Sequence, residues 1–272
     1  MLKQRVLAAA VMIPAFLLAL FYSSPLVWMG LIGLGTLLAA WEWARIAGFA
    51  VSGRVLYMLA VAALLLGLIY LGAEDVSRPT IWSAVLVFWL LLVPLWLSRH
   101  WVVRQRWVLA LVGLLVLLPT WLALVALRET SVLLLLFLMG LVWIADIAAY
   151  VFGRIWGKHK LAPRISPGKT WEGAAGALFS GMLYTVLWHS FAPDALAHFV
   201  GFSTLSWAAM ALFLVAISII GDLFESHMKR CAGLKDSGNL IPGHGGILDR
   251  IDSQTSILPV AFAWLFFSAW IN

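Results

Sequence analysis

Apolar runs long enough to cross a lipid bilayer recur along almost the whole chain, and they leave little choice of architecture. A transmembrane helix needs about 20 predominantly apolar residues, with a range of ~17–25. Nine stretches meet that length: 6–22, 25–47, 55–73, 81–97, 107–127, 132–152, 172–190, 204–226 and 254–271. Hydrocarbon offers no water to backbone N–H and C=O groups, so each span must satisfy its own, which a helix does. The expected fold is all-α, a polytopic membrane helix bundle of nine spans. With 64% hydrophobic and 11% charged residues, the composition excludes a soluble globular domain. The first run follows Lys3 and Arg5 like a signal peptide. It contains Pro14 and ends in Phe21 and Tyr22 instead of a small-residue cleavage site, so it reads as the first helix. One cysteine, Cys231, excludes an intrachain disulfide.

Basic residues orient the bundle. With the N-terminus in the cytoplasm, sixteen of the eighteen Lys and Arg fall in cytoplasmic segments, and only Arg78 and Arg128 fall outside. The expectation is therefore nine spans, N-terminus in and C-terminus out, in a bacterial-type inner (plasma) membrane. A net charge of +6 suits anionic lipids or phosphorylated substrates. Nucleic acid is not an expected partner, because the basic residues sit on membrane-proximal loops.

Residues 1–130, with the first five spans, are chemically quiet and read as scaffold. Glu42, between Trp41 and Trp43 and three residues before Arg45, reads as half of an i,i+3 ion pair in an interfacial aromatic belt. Gly30, Gly33 and Gly35 offer a small-residue packing face, as do Gly173, Ala177 and Gly181. The chemistry lies in residues 131–272, integrated with the first part and not separable from it.

Three places carry that chemistry. Asp146 lies inside the sixth span, where an acid is costly and marks a functional candidate. The following loop contains Ser166-Pro-Gly168-Lys169-Thr170 directly before a helix. It resembles the tail of a P-loop, but Pro163 stands where the first glycine is needed and no strand is expected before it. It still brings Ser and Thr oxygens, a lysine and a helix N-terminus to one anion. The third place is Ser226–Asp252, preceded by Asp222 and Glu225 on one helical face. It holds Lys229, Arg230, Lys235 and Arg250, the carboxylates Asp236, Asp249 and Asp252, His227 and His244, and five glycines, at 233, 238, 243, 245 and 246. A solvated connector that only sets topology needs Lys and Arg alone. Carboxylates suit Mg²⁺, which borrows further ligands from substrate phosphates. The cations neutralise the remaining charge, and glycines let backbone N–H groups approach an anion. In the nine-span topology all these groups meet at the inner interface. Six scattered histidines and one cysteine give no zinc spacing, and no Gly-x-Ser-x-Gly occurs. A transporter for an anionic solute stays open as a second class, since acids in a membrane also mark ion pathways. Against it stand the clustering on one face and the lack of an inverted repeat.

The pattern Ser226-x-Met228-Lys229-Arg230-x₄-Lys235-Asp236-x-Gly238-x₂-Ile241-Pro242-x-His244-Gly245-Gly246-Ile247-x-Asp249-Arg250-Ile251-Asp252 resembles the signature of the phosphatidate cytidylyltransferases, or CDP-diacylglycerol synthases. Asp146, Tyr150, Gly153, Gly157, Lys158 and Ser166-Pro-x-Lys169-Thr170-x-Glu172-Gly173 resemble the same family, so the likeness covers roughly the C-terminal half. It implies an enzyme of phospholipid biosynthesis that transfers a cytidylyl group from CTP to phosphatidate, giving CDP-diacylglycerol and pyrophosphate, with its active site facing the cytoplasm. It implies Mg²⁺ and a second, monovalent cation such as K⁺. Asp222 and Asp249 are then the first choices for metal ligands, with Asp146 and Asp252 beside them. Lys229, Arg230, Lys235, Asp236, His244 and Arg250 take catalytic roles. Ser166, Lys169, Thr170, Ser226, Gly245 and Gly246 bind substrate. The partners are CTP, phosphatidate and membrane lipids; a homodimer is allowed but not specified. A CTP-dependent lipid kinase, which would release CDP, is the enzyme alternative.

Overall fold

The computed structural model describes residues 2–71, 78–191, 204–240 and 245–271. In chain order the elements are α1 (Leu2–Tyr22), α2 (Pro25–Ile46), α3 (Val51–Leu71), α4 (Pro79–Val87), a π-helical turn (Phe88–Leu92), α5 (Val93–Arg99), α6 (Arg106–Thr130), α7 (Val132–Ile155), β1 (Lys160–Ala162), β2 (Ser166–Thr170), α8 (Trp171–Phe191), α9 (Thr204–Cys231), α10 (Leu248–Ile251) and α11 (Gln254–Ile271). Each of the nine expected runs overlaps helix, residues 72 and 73 of the third lying outside the described residues. Among the described residues, six helices are long and apolar enough to cross a membrane: Pro25–Ile46, Val51–Tyr70, Pro79–Arg99, Arg106–Thr130, Val132–Ile155 and Trp207–Cys231. The protein is an all-α membrane protein.

Two local features depart from plain helix and loop. The segment expected as a phosphate-binding loop is an antiparallel hairpin, with Lys160 opposite Thr170 and Ala162 opposite Ser166. Ile165 N–H donates to Ala162 O at 3.1 Å and closes its turn. The π-helical turn ends two residues before Pro94, within the apolar stretch Pro79–Arg99. Proline has no N–H and its ring crowds the preceding turn, and one wider turn accommodates both.

The helices gather into two compact units, neither continuous in sequence. The first comprises residues 1–78, 102–132 and 228–252. In it, α2 and α6 are tied by aromatic polar tips reaching backbone carbonyls. Trp43 Nε1 donates to Leu109 O at 2.7 Å, Trp28 Nε1 to Leu124 O and Trp121 Nε1 to Met29 O, both at 3.3 Å. Tyr57 of α3 donates to Ala110 O at 2.9 Å. Such interhelical bonds contribute roughly 0.6–2 kcal/mol each where water is absent. Gly113 is required there, because a Cβ would collide with Trp43 and the Tyr57 hydroxyl. The face expected at Gly30, Gly33 and Gly35 is not close-packed: a Cβ at Gly30 or Gly35 meets nothing within 4 Å. The indoles of α2 already supply the contact surface to α6.

The second unit comprises residues 79–101, 133–227 and 253–272. Phe224 of α9 is 1% exposed, with Phe88, Trp89 and Trp96 edge-on around it at 5.7–5.9 Å. The expected face of Gly173, Ala177 and Gly181 is buried, and a Cβ on Gly173 would strike Ala149 O of α7. The close approach of α7 and α8 positions the cavity described next.

Candidate active site

In the second unit, α7, β2, α8 and α9 enclose a cavity of about 360 Å³. Asp146, Tyr150, Lys169, Thr170 and Asp222 line it. Asp146 and Asp222, far apart in sequence, thus face one space. Lys169, carried on β2, pairs with Asp222. Ser226, one turn further along α9, donates to Asp222 Oδ1 at 3.3 Å. Gly168 also lines the cavity, with nothing within 4 Å of where a Cβ would stand. Thr170, expected to bind substrate, caps α8: its Oγ1 accepts from Gly173 N–H at 3.1 Å, and the residue is 5% exposed. Gly153 and Gly157 close round that threonine. The hairpin is latched to α8 at its start, where Glu172 accepts from His159 N–H at 3.2 Å and pairs with its Nδ1 at 2.7 Å. Ser166 opens β2 and is half-buried.

In the first unit, Asp249 of α10 gathers the signature segment. Its Oδ1 accepts from Lys229 Nζ at 2.6 Å. Its Oδ2 accepts from Ser237 N–H at 3.0 Å and Gly246 N–H at 2.8 Å. Both side chains of the ion pair are 9% exposed. Burial alone pushes the Asp249 carboxyl up, but the Lys229 ammonium and the Gly246 and Ser237 N–H groups outweigh it and hold the group below the ordinary carboxylate range. Gly245 has φ +83°, and a side chain there would be strained besides meeting Asp249. Arg230 donates to Leu234 O at 3.4 Å across the end of α9. Lys235, Asp236 and Arg250 are exposed, and Asp252 is half-buried at the end of α10. His244, with Ile241, Pro242 and Gly243, lies outside the described residues.

Glu42 was not expected here. Instead of an interfacial ion pair, it is 1% exposed and accepts from the Ser237 hydroxyl at 2.8 Å, Ile247 N–H at 3.1 Å and Leu248 N–H at 2.9 Å. Arg45 donates to Ser237 O at 3.3 Å. The sequence signal was an acid within an apolar run, the criterion that singled out Asp146.

Among the described residues, no three His, Cys, Asp or Glu side chains converge as a metal site would require. The pair Asp146 and Asp222 nonetheless fits Mg²⁺, which takes one or two carboxylates and completes its shell with water and phosphate oxygens. Asp249 would have to exchange Lys229 for a metal ion in order to serve as a ligand.

Residues 3–268 match the Cytidylyltransferase family. A phosphatidate cytidylyltransferase of Pseudomonas aeruginosa is 42% identical over 282 residues, covering 99% of each chain. One from Haemophilus influenzae is 36% identical over 294 residues, covering 98% of this chain and 99% of the relative. One from Staphylococcus aureus is 44% identical over 128 residues, 46% of each chain. The likeness therefore extends through the N-terminal helices, beyond the half that carries the signature. With both its acid-and-lysine groups inside the matched range, the chain belongs to the cytidylyltransferase family and is a nucleotidyltransferase enzyme.

Proposed function

We propose that the protein transfers the cytidylyl group of CTP to phosphatidate, giving CDP-diacylglycerol and pyrophosphate, at the cytoplasmic face of a bacterial inner membrane. The observation that carries this reading is the cavity in which Asp146, Asp222 and Lys169 face one space, in a chain related end to end to proteins named phosphatidate cytidylyltransferase. The phosphatidate phosphate is the nucleophile. One of its oxygens forms a bond to the α-phosphorus of CTP as the bond from that phosphorus to the β-bridging oxygen breaks, and the electron pair leaves on pyrophosphate. The protein's task is to align these groups and to neutralise charge.

Asp146 and Asp222 would hold Mg²⁺, which supplies polarisation of the phosphoryl oxygens and stabilises the leaving group. Lys169 places its ammonium at the same carboxylate and serves the triphosphate. Lys229, Lys235, Arg230 and Arg250 supply cations to the triphosphate or the lipid phosphate, Arg250 with a bidentate fork that lysine lacks. Ser226 orients Asp222, and Gly245 and Gly246, lacking side chains, would let a phosphate come close to the backbone, the Gly246 N–H itself being given to Asp249. His244 is assigned as a phosphate donor or proton-transfer group, and Asp236 as an orienting carboxylate. Asp249 holds the segment together, and to serve as a second metal ligand beside Asp252 it would have to release Lys229.

The assay is purified protein with labelled CTP, phosphatidate or another phospholipid, and Mg²⁺ or EDTA. Label in a lipid product and equimolar pyrophosphate, with phosphatidate and Mg²⁺ only, is the expected result. Release of CDP would replace this reading with a lipid kinase, and no label in lipid would refute transfer altogether. The nine-crossing topology, with N-terminus in and C-terminus out, predicts that a reporter fused after Asn272 behaves as external; a cytoplasmic reporter overturns it.

A further inference from the structure

Glu42 lies in α2, far from the signature in sequence, yet its carboxylate is engaged by the signature segment. Oε1 accepts from Ile247 N–H at 3.1 Å, and Oε2 accepts from Leu248 N–H at 2.9 Å and the Ser237 hydroxyl at 2.8 Å. Two of the partners are backbone N–H groups, which can only donate, and they reach different oxygens, so the site is matched to a carboxylate with an acceptor at each oxygen. The fit is also steric. A Cβ on Gly238 or on Gly246 would collide with Glu42. Ser237, 0% exposed, is the pivot. Its hydroxyl goes to Glu42, its N–H to Asp249, and its carbonyl accepts from Arg45. One serine is thus held between the carboxylate of α2 and that of α10, while Asp249 also holds Lys229 at 2.6 Å.

We propose that Glu42 is a positioning residue: it sets the 237–249 segment and, through Ser237 and Asp249, the direction of the Lys229 ammonium. The catalytic part of this inference rests on the cytidylyl-transfer reading. Glutamine at 42 keeps one acceptor oxygen and turns the other into a donor facing a backbone N–H, so at least one contact opens. Aspartate keeps the charge but retracts it by one methylene. Either change lets the segment move while leaving every phosphate-binding cation in the chain. Misplacement of about 1 Å is enough to cost roughly 100-fold in rate.

The test uses the full-length protein in detergent: wild type, Glu42→Gln, Glu42→Asp, Ser237→Ala and the Glu42→Gln/Ser237→Ala double variant. Turnover is measured per folded molecule, alongside hydrogen exchange over 232–252. We expect kcat to fall by at least about 10-fold in Glu42→Gln and KM for CTP to change by less than about 3-fold. Glu42→Asp should recover part of the loss. The serine substitution should cost less in the Gln background than in wild type, the mark of coupled residues. Amides of Ser237 and Gly246–Leu248 should exchange faster by about 10-fold or more, with residues 106–130 unchanged. A purely structural brace would lower yield or thermal stability but leave kcat and KM of the folded fraction at wild-type values; that result overturns the proposal. If Glu42→Gln does not fold, Ser237→Ala decides, and wild-type turnover and exchange in that variant refute it. If wild type makes no CDP-diacylglycerol, the transfer reading fails. The exchange data then stand alone, and protection of 237 and 246–248 that is indifferent to residue 42 overturns the role of Glu42.

Discussion

Replacing Asp249 by Asn separates two roles that one carboxylate can have. The amide can turn two ways. With its oxygen toward Ser237 and Gly246 it keeps both N–H bonds, at 3.0 and 2.8 Å, and presents NH₂ to the Lys229 ammonium. With its oxygen toward Lys229, two backbone donors face a third donor. The first orientation is cheaper, so the cost is that of leaving a 9%-exposed ammonium without its carboxylate. A charge-assisted hydrogen bond contributes ~1.5–3 kcal/mol, and removing one partner of a buried pair costs ~3–5 kcal/mol, so we expect about 2–4 kcal/mol. Against a typical total of ~5–15 kcal/mol the variant still folds. Thermal unfolding in detergent should show a lower Tm, and turnover should fall about 100-fold as Lys229 loses its direction. Because the folded carboxyl is held below its ordinary value, its contribution is fully present above the unfolded value of about 3.9 and is lost as pH falls through the folded value. The Tm gap between wild type and variant should therefore close on acidification below about pH 4. A variant with wild-type Tm and wild-type turnover refutes the stapling argument. An unchanged Tm with a raised half-saturating Mg²⁺ concentration would instead make Asp249 a metal ligand.

Two further outcomes follow from contacts elsewhere in the chain. Lys169→Met removes the ammonium from Asp222, so turnover should fall about 10–100-fold while the half-saturating Mg²⁺ concentration decreases, since a competitor for the carboxylate is gone; a rise in Mg²⁺ demand would contradict the pairing. Arg128 donates to Leu20 O at 2.9 Å and to Ser23 O at 2.5 Å and lies over the Trp28 ring at 5.1 Å. Arg128→Ala should cost about 2–4 kcal/mol in detergent unfolding and leave turnover per folded molecule unchanged.

The crossings were legible because a helix in lipid must be long, apolar and self-satisfied, and each of these is a property of one stretch of sequence. The cavity was half legible. Asp146 stood out as an acid in a span, and Asp222 and Lys169 stood beside recognisable polar segments; that they line one cavity is seen only in the structure. The hairpin was not legible: Lys160–Ala162 and Ser166–Thr170 are too short to show alternation, and Pro167 and Gly168 argue against a strand. The capping role of Thr170 was not legible either, because it depends on where α8 begins. Glu42 was misread because the local partner, Arg45, was visible, whereas its true donors lie 195–206 residues away. Ser237 occupies a position the signature leaves open. The glycines at 238 and 246, which the signature does fix, acquire a reason only once Glu42 is seen against them.

The separation between Glu42 and its donors also has a consequence in time. The carboxylate leaves the ribosome 195 residues before the serine that it binds. At ~5–20 residues per second that interval is on the order of 10–40 s. Throughout it, α2 must be held in or near the membrane with an acid that has none of its final donors, a state costing several kcal/mol in apolar surroundings. A stretch made 195–206 residues later is thus what relieves the second helix. Nascent chains truncated before Ser237 should remain bound to insertion factors or be degraded, whereas release to a stable bundle should coincide with synthesis of residues 237–248.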